Sequence, residues 1–137
     1  MIAISVDLGH ARTGLAVSDK SGFLASSLCV ITEYNDEKLI EKIAEKVEET
    51  KAEVIVVGLP RNMDGSEGES AQRARSIAEK LSERTGIRHV MQDERGTTIT
   101  AHAYLSTSNV YGKKRKQKVD AVAASIILQN YLDSQKG

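Results

Sequence analysis

Val54-Ile55-Val56-Val57 is an unbroken apolar run in a chain otherwise rich in charge, and it constrains the fold more than any other stretch. A strand with apolar side chains at consecutive positions is covered on both faces, so its sheet needs a layer on each side. The flanking segments supply those layers. Before the run, Ile2, Ile4, Val6 and Leu8 alternate with Ala3, Ser5 and Asp7, the pattern of a strand. A second strand over 14–19, a turn at Lys20-Ser21-Gly22 and a third strand over 23–31 follow closely, which predicts an antiparallel meander.

The period then changes. Asn35 or Asp36 can cap a helix through Thr50, with Leu39, Ile40, Ile43, Ala44 and Val47 on one stripe. After the apolar run come a polar loop over 61–68, a helix over 69–84 stopped by Gly86, and a strand over 87–92. Thr97 or Thr98 can cap a short helix to about 106. A polar, basic connection over 109–117 leads to a last helix over 117–134, whose expected stripe is Val119, Val122, Ala123, Ile126, Ile127 and Tyr131. The result is an α/β fold: a five-stranded mixed sheet, its first three strands antiparallel, with helices on both faces.

At 137 residues the chain reads as one domain, 1–137. Lys+Arg and Asp+Glu are 19 each, so a polyanionic partner has to be met by a local patch. The single Cys29 excludes an intrachain disulfide and a cysteine zinc site, which fits a reducing cytoplasm. The first residues lack a signal-peptide pattern, and no apolar run is long enough to cross a membrane. With no Trp and one Phe, an aromatic sheet-face RNA reader is disfavoured.

The chemistry is concentrated in carboxylates at the ends of elements. Asp7 closes an otherwise apolar strand, where an unpaired charge is costly, and Gly9 and Gly14 bracket the turn after it. Asp7, the Asp93-Glu94 pair and Asp120 come from three separate elements. Such a set suits magnesium or manganese. Cations stand beside the acids: Arg12, Arg95, and the run Lys113, Lys114, Arg115 and Lys116 just before Asp120, all suited to phosphate contacts. Thr97 and Thr98 offer hydroxyls and amides to a phosphate, or a helix cap. His10 could assist proton transfer, while His89 and His102 read as surface positions. No serine or cysteine has a nucleophile setting.

Six ordered motifs carry a resemblance: Asp7-Leu8-Gly9, Arg12-Thr13-Gly14, Gly58-Leu59-Pro60, Met63-Asp64-Gly65-Ser66-Glu67-Gly68, Asp93-Glu94-Arg95-Gly96-Thr97-Thr98, and Asp120-Ala121-Val122-Ala123-Ala124. Together they resemble the YqgF-type family, Holliday-junction resolvase-like nucleases of the ribonuclease H-like superfamily, over nearly the whole chain. The resemblance implies a divalent-metal nuclease of the bacterial cytoplasm that trims the 5′ end of the small-subunit (16S) ribosomal RNA precursor, or resolves branched, four-way DNA. It implies Asp7, Glu94 and Asp120 as catalytic metal ligands, with Asp93 in reserve, and Arg12 and Arg95 as substrate contacts. Related resolvases carry an acid at the end of the fourth strand, where this chain has Gly58-Leu59-Pro60. Glu94 from the fifth strand would have to take its place in space.

Two other readings stand beside this one. Asp-x-Gly followed by a glycine turn also opens sugar-kinase and actin-like domains, but those enclose a nucleotide between two such domains and this chain has room for one. A non-catalytic nucleic-acid-binding module would keep the fold without metal chemistry. The expected state is a monomer or a weak homodimer.

Overall fold

The computed structural model describes residues 1–62, 64–94 and 112–135, with side chains in the last segment from residue 121 onward. Three strands open it: β1 (Ala3–Leu8), β2 (Arg12–Ser18) and β3 (Ala25–Thr32). Then α1 (Asp36–Thr50), β4 (Val54–Leu59), α2 (Glu69–Thr85) and β5 (Arg88–Asp93) alternate, and α3 (Gly112–Ser134) follows. The strands form one sheet in the order β3-β2-β1-β4-β5. β1–β2 and β2–β3 are antiparallel, and β1–β4 and β4–β5 parallel. This is the mixed sheet that the sequence predicts.

The apolar run divides between two cores. Ile55 and Val57 join Ile4, Val6 and Leu15 under α1 and α2, where Leu39, Ile43, Ile77 and Leu81 are buried. Val54 and Val56 join Ala3 and Ala16 under α3, against Ala124, Ile127, Leu128 and Tyr131. Each large aliphatic side chain so buried contributes about 1.5–3 kcal/mol. Local signals set the ends of the elements. The Asn35 side chain accepts the Lys38 N–H at 2.9 Å to start α1, and Gly86 takes a left-handed φ of 74° to stop α2.

Five expectations need correction. β2 begins at Arg12 rather than 14, so Gly14 lies inside the strand, paired with Asp7, and does not close the turn. β3 begins at Ala25 rather than 23, because the Asp19 carboxylate accepts the N–H groups of Phe23 and Leu24 and prolongs the turn. α3 begins at Gly112 rather than 117, so the basic run is helical backbone and not a connection. Lys, Arg and Gln are strong helix formers, and nothing after Gly112 interrupts them. Among the described side chains the buried stripe of α3 is Ala123, Ala124, Ile127, Leu128, Tyr131 and Leu132, Val122 and Ile126 are half-buried, and the side chain of Val119 lies outside them. Small Ala124 lets the helix approach β1 closely enough for the Ser5 hydroxyl to donate to its carbonyl at 2.7 Å. His89 is half-buried and shares a 2.7 Å hydrogen bond with the Ser82 hydroxyl, so it is not a surface position. The short helix expected from Thr97 or Thr98 lies outside the described residues.

Candidate active site

β1 sends Ala3, Ser5 and Asp7 to the α3 side of the sheet. Ala3 is buried in the α3-side core, and Ser5 bonds to Ala124. Asp7 is the next residue on that face. α3 crosses this part of the sheet in the direction opposite to β1 and β3: the Ser27 hydroxyl donates to the Ala121 carbonyl at 3.2 Å, and the Ala25 N–H donates to Gln129 Oε1 at 2.9 Å. Position 120 lies one helical turn from Ala124, and Asp7 two strand residues from Ser5, steps of about 6 Å each. The helix backbone therefore carries position 120 toward the end of β1 that bears Asp7. The Asp120 side chain is outside the described residues.

Glu94 follows β5 directly, and its N–H donates to the Leu59 carbonyl at 3.2 Å, extending the β4–β5 ladder by one step. Its carboxyl group lies over Gly58. A Cβ at position 58 would stand 2.5 Å from Glu94 Oε2 and 2.8 Å from Ile127 Cδ1, so the bare glycine makes the space in which the acid sits. From there Glu94 is hydrogen-bonded to Asp7. Burial, then the neighbouring charge and hydrogen bond of Asp7, and last the charge of Asp93 push the Glu94 carboxyl up to about 9. Two carboxylates brought together away from water cannot both ionise, so the pair holds a proton between them.

That arrangement fits a hard cation. Two carboxyl groups converge from separate strands into a cradle kept open by a glycine, and a divalent ion would supply the positive charge that the shared proton supplies here. Among the described residues no group of three His, Cys, Asp or Glu side chains comes together, and the third expected acid, Asp120, is not among those side chains.

The other expected residues divide. Arg12 opens β2 at the Asp7 end of the sheet and shares strand parity with Ala16, which faces α3. Asp93 stands 3.9 Å from Arg61, and its charge also acts on Glu94. Arg95, Thr97 and Thr98 lie outside the described residues, as do the side chains of Lys113, Lys114, Arg115 and Lys116. His10 lines a cleft with Tyr34 and Arg73.

Two arginines near the site were not singled out from the sequence. Arg61 stands 3.7 Å from Glu67 and 3.9 Å from Asp93, and its buried Nε has no hydrogen-bond partner among the described residues. Its position directly after Pro60, at the carboxyl end of β4, was the available signal. Arg73 on α2 donates to the Gly9 carbonyl at 2.9 Å and to Asp36 Oδ1 at 2.8 Å, which ties the turn after Asp7 to both helices. Its hydrogen bond holds the Asp36 carboxyl below its ordinary value. Nothing in the sequence separates Arg73 from Arg75 or Arg84, which pair on the surface with Glu67 and Glu41.

Comparison with known proteins identifies the family and the fold. The family model described as "RuvX: Holliday junction resolvase" matches residues 1–134. A relative from Nitrosospira multiformis, named "Putative pre-16S rRNA nuclease", is 39% identical over 133 residues, covering 97% of this chain and 88% of its own length. One of the same name from Thermoanaerobacter pseudethanolicus is 39% identical over 137 residues and covered to 99%, as is this chain. In fold, the chain matches the structure of Thermus thermophilus RuvC in complex with Holliday junction substrate, with a TM-score of 0.65 at 14% identity, over 100% of this chain and 96% of that one. With a model match over nearly its whole length and relatives this similar, the chain belongs to the RuvX family of Holliday-junction-resolvase-like nucleases.

Proposed function

We propose that this protein is a divalent-metal-dependent nuclease that matures the 5′ end of the small-subunit ribosomal RNA precursor, in the cytoplasm and as a monomer or weak homodimer. The observation that carries the proposal is the Asp7–Glu94 carboxyl pair held in the space over Gly58. Asp7, Glu94 and Asp120 would hold magnesium or manganese. Such an ion, when bound, supplies a more acidic water and neutralises charge at the departing 3′ oxygen. The remaining tasks fall to the chain itself. Gly58 leaves the room in which Glu94 can reach Asp7. Arg12 and Arg95 contact the phosphate at the cut, and Thr97 and Thr98 offer it further hydrogen bonds. Lys113, Lys114, Arg115 and Lys116 follow the backbone on either side.

The names of the relatives favour ribosomal RNA, and the family description favours branched DNA. Cleavage of a ribosomal RNA precursor fragment, a four-way DNA junction and a linear duplex, each with magnesium or manganese and with Asp7→Asn as control, decides between them. The expected result is cleavage of the RNA fragment that disappears in the variant. Preference for the junction would make the protein a resolvase. No metal-dependent cleavage of any substrate would overturn the nuclease reading.

A further inference from the structure

Across the β1–β2 turn from the carboxyl pair lies a cleft of about 570 Å3, on the side of the sheet covered by α1 and α2. Leu8 and Gly9, the two residues after Asp7, line it, so it begins about 7 Å of extended chain from the site. Its volume falls within the roughly 300–1,000 Å3 of small-ligand clefts.

The chemistry of its walls points away from phosphate. Arg73, the one Lys or Arg among the described residues that line the cleft, is already engaged by Asp36 and by the Gly9 carbonyl, at 2.8 and 2.9 Å, and His10 lines the cleft beside it. The same bonds fix the wall rigidly to the turn after Asp7. Around Arg73 stand Glu69 and Ser70, an acceptor and a hydroxyl rather than further cations. At the rim Tyr34 is 74% exposed, a large ring held in water immediately before the Asn35 cap of α1. A flat ring beside hydrogen-bonding groups of low net charge suits a nucleobase, which stacks on aromatic faces and presents donors and acceptors at its edge.

We propose that this cleft is a subsite for one unpaired base of a single-stranded RNA substrate, stacked on Tyr34 beside the bond that is cut. The assignment rests on the nuclease reading and deepens it: a base inside a duplex is stacked on its neighbours and cannot enter, so the subsite selects single-stranded segments next to the cleavage point.

The test uses the full-length protein and short single-stranded RNA carrying 2-aminopurine at successive positions. In chelator, where no cleavage occurs, one labelled position should show a fluorescence change on binding that Tyr34→Ala abolishes and Tyr34→Phe keeps. With manganese, Tyr34→Ala should raise KM about ten-fold, as loss of one stacked base does, and leave kcat within about two-fold. The melting temperature should stay unchanged, since the ring is exposed. Duplex RNA should give no such signal. A signal insensitive to Tyr34→Ala, or equal binding of duplex, overturns the subsite while cleavage by the wild type leaves the nuclease standing. Tyr34-dependent stacking without any metal-dependent cleavage has the opposite meaning: the base-binding cleft stands and the nuclease reading falls.

Discussion

Glu94 occupies the volume that any side chain at Gly58 would need: a Cβ there would lie 2.5 Å from its Oε2. An acid delivered by β5 thus sits over β4, beside the acid delivered by β1. The parallel pairing of β1, β4 and β5 brings the three strand ends side by side, and the missing side chain at 58 lets Glu94 reach across. Gly58→Ala should therefore damage the site directly. Overpacking of this kind costs about 1–3 kcal/mol, readable by urea unfolding, and manganese affinity by calorimetry should fall with it. Gly58→Asp combined with Glu94→Ala should recover part of the manganese binding, because the carboxylate would then rise from β4 into the vacated space. Tight manganese binding by Gly58→Ala would show that the cradle does not matter.

The metal-free pair makes stability depend on pH. In the unfolded chain Glu94 titrates near its ordinary value of about 4.3, and in the folded chain its carboxyl is raised to about 9. Between those values the folded state keeps a proton that the unfolded state has lost. The stabilising contribution is full below the lower value and is lost as pH rises through the window. Glu94→Gln lacks that slope. In chelator it should match the wild type near pH 4 and exceed it at pH 8 by on the order of 2–4 kcal/mol. Manganese should reverse the order. Parallel denaturation curves of the two proteins at every pH would mean that the pair shares no proton.

Ser5 ties β1, which carries Asp7, to α3, which carries position 120. Its hydroxyl is fully buried and donates to the Ala124 carbonyl, one turn from Asp120. Ser5→Ala should cost about 1 kcal/mol of stability, the usual value of one such bond. If α3 is held in register by this contact, kcat should fall and KM should rise together, because Asp120 and the basic run 113–116 ride on the same helix. Loss of stability with unchanged kcat would make Ser5 a packing residue only.

How far the sequence carries the fold and the site follows from the range of each signal. The stripe of α1 and the split of the 54–57 run between two faces were legible because period is a local property of the chain. The start of α3 was misplaced because a basic run reads as a solvated connection, although its residues favour helix. Asp7 and Glu94 could be named as acids at strand ends. Their hydrogen bond could not, since it depends on β4 lying between their strands and on the absence of one side chain. Arg73 was hidden for a related reason. Its distinction from other arginines of α2 is the Gly9 carbonyl, which lies 64 positions away in sequence.

The basic start of α3, set against the carboxyl pair, separates an enzyme from a binding module. Replacing Lys113, Lys114, Arg115 and Lys116 with Gln removes four positive charges and keeps residues that favour helix. For single-stranded nucleic acid each lost phosphate contact lowers the slope of log affinity against log salt by about 0.7, so the quadruple variant should lose up to about 3 from that slope. Asp7→Asn should leave the slope unchanged and lower single-turnover cleavage by at least about 100-fold, since the proposed metal ligand would act on the reacting phosphate and not on the distant backbone. The two variants thus have opposite signatures in the same pair of assays, anisotropy across a salt series and cleavage at saturating protein. If Asp7→Asn complements a strain lacking the gene as well as wild type does, while the quadruple variant fails, the essential activity is binding and the carboxyl pair is a relic of the fold.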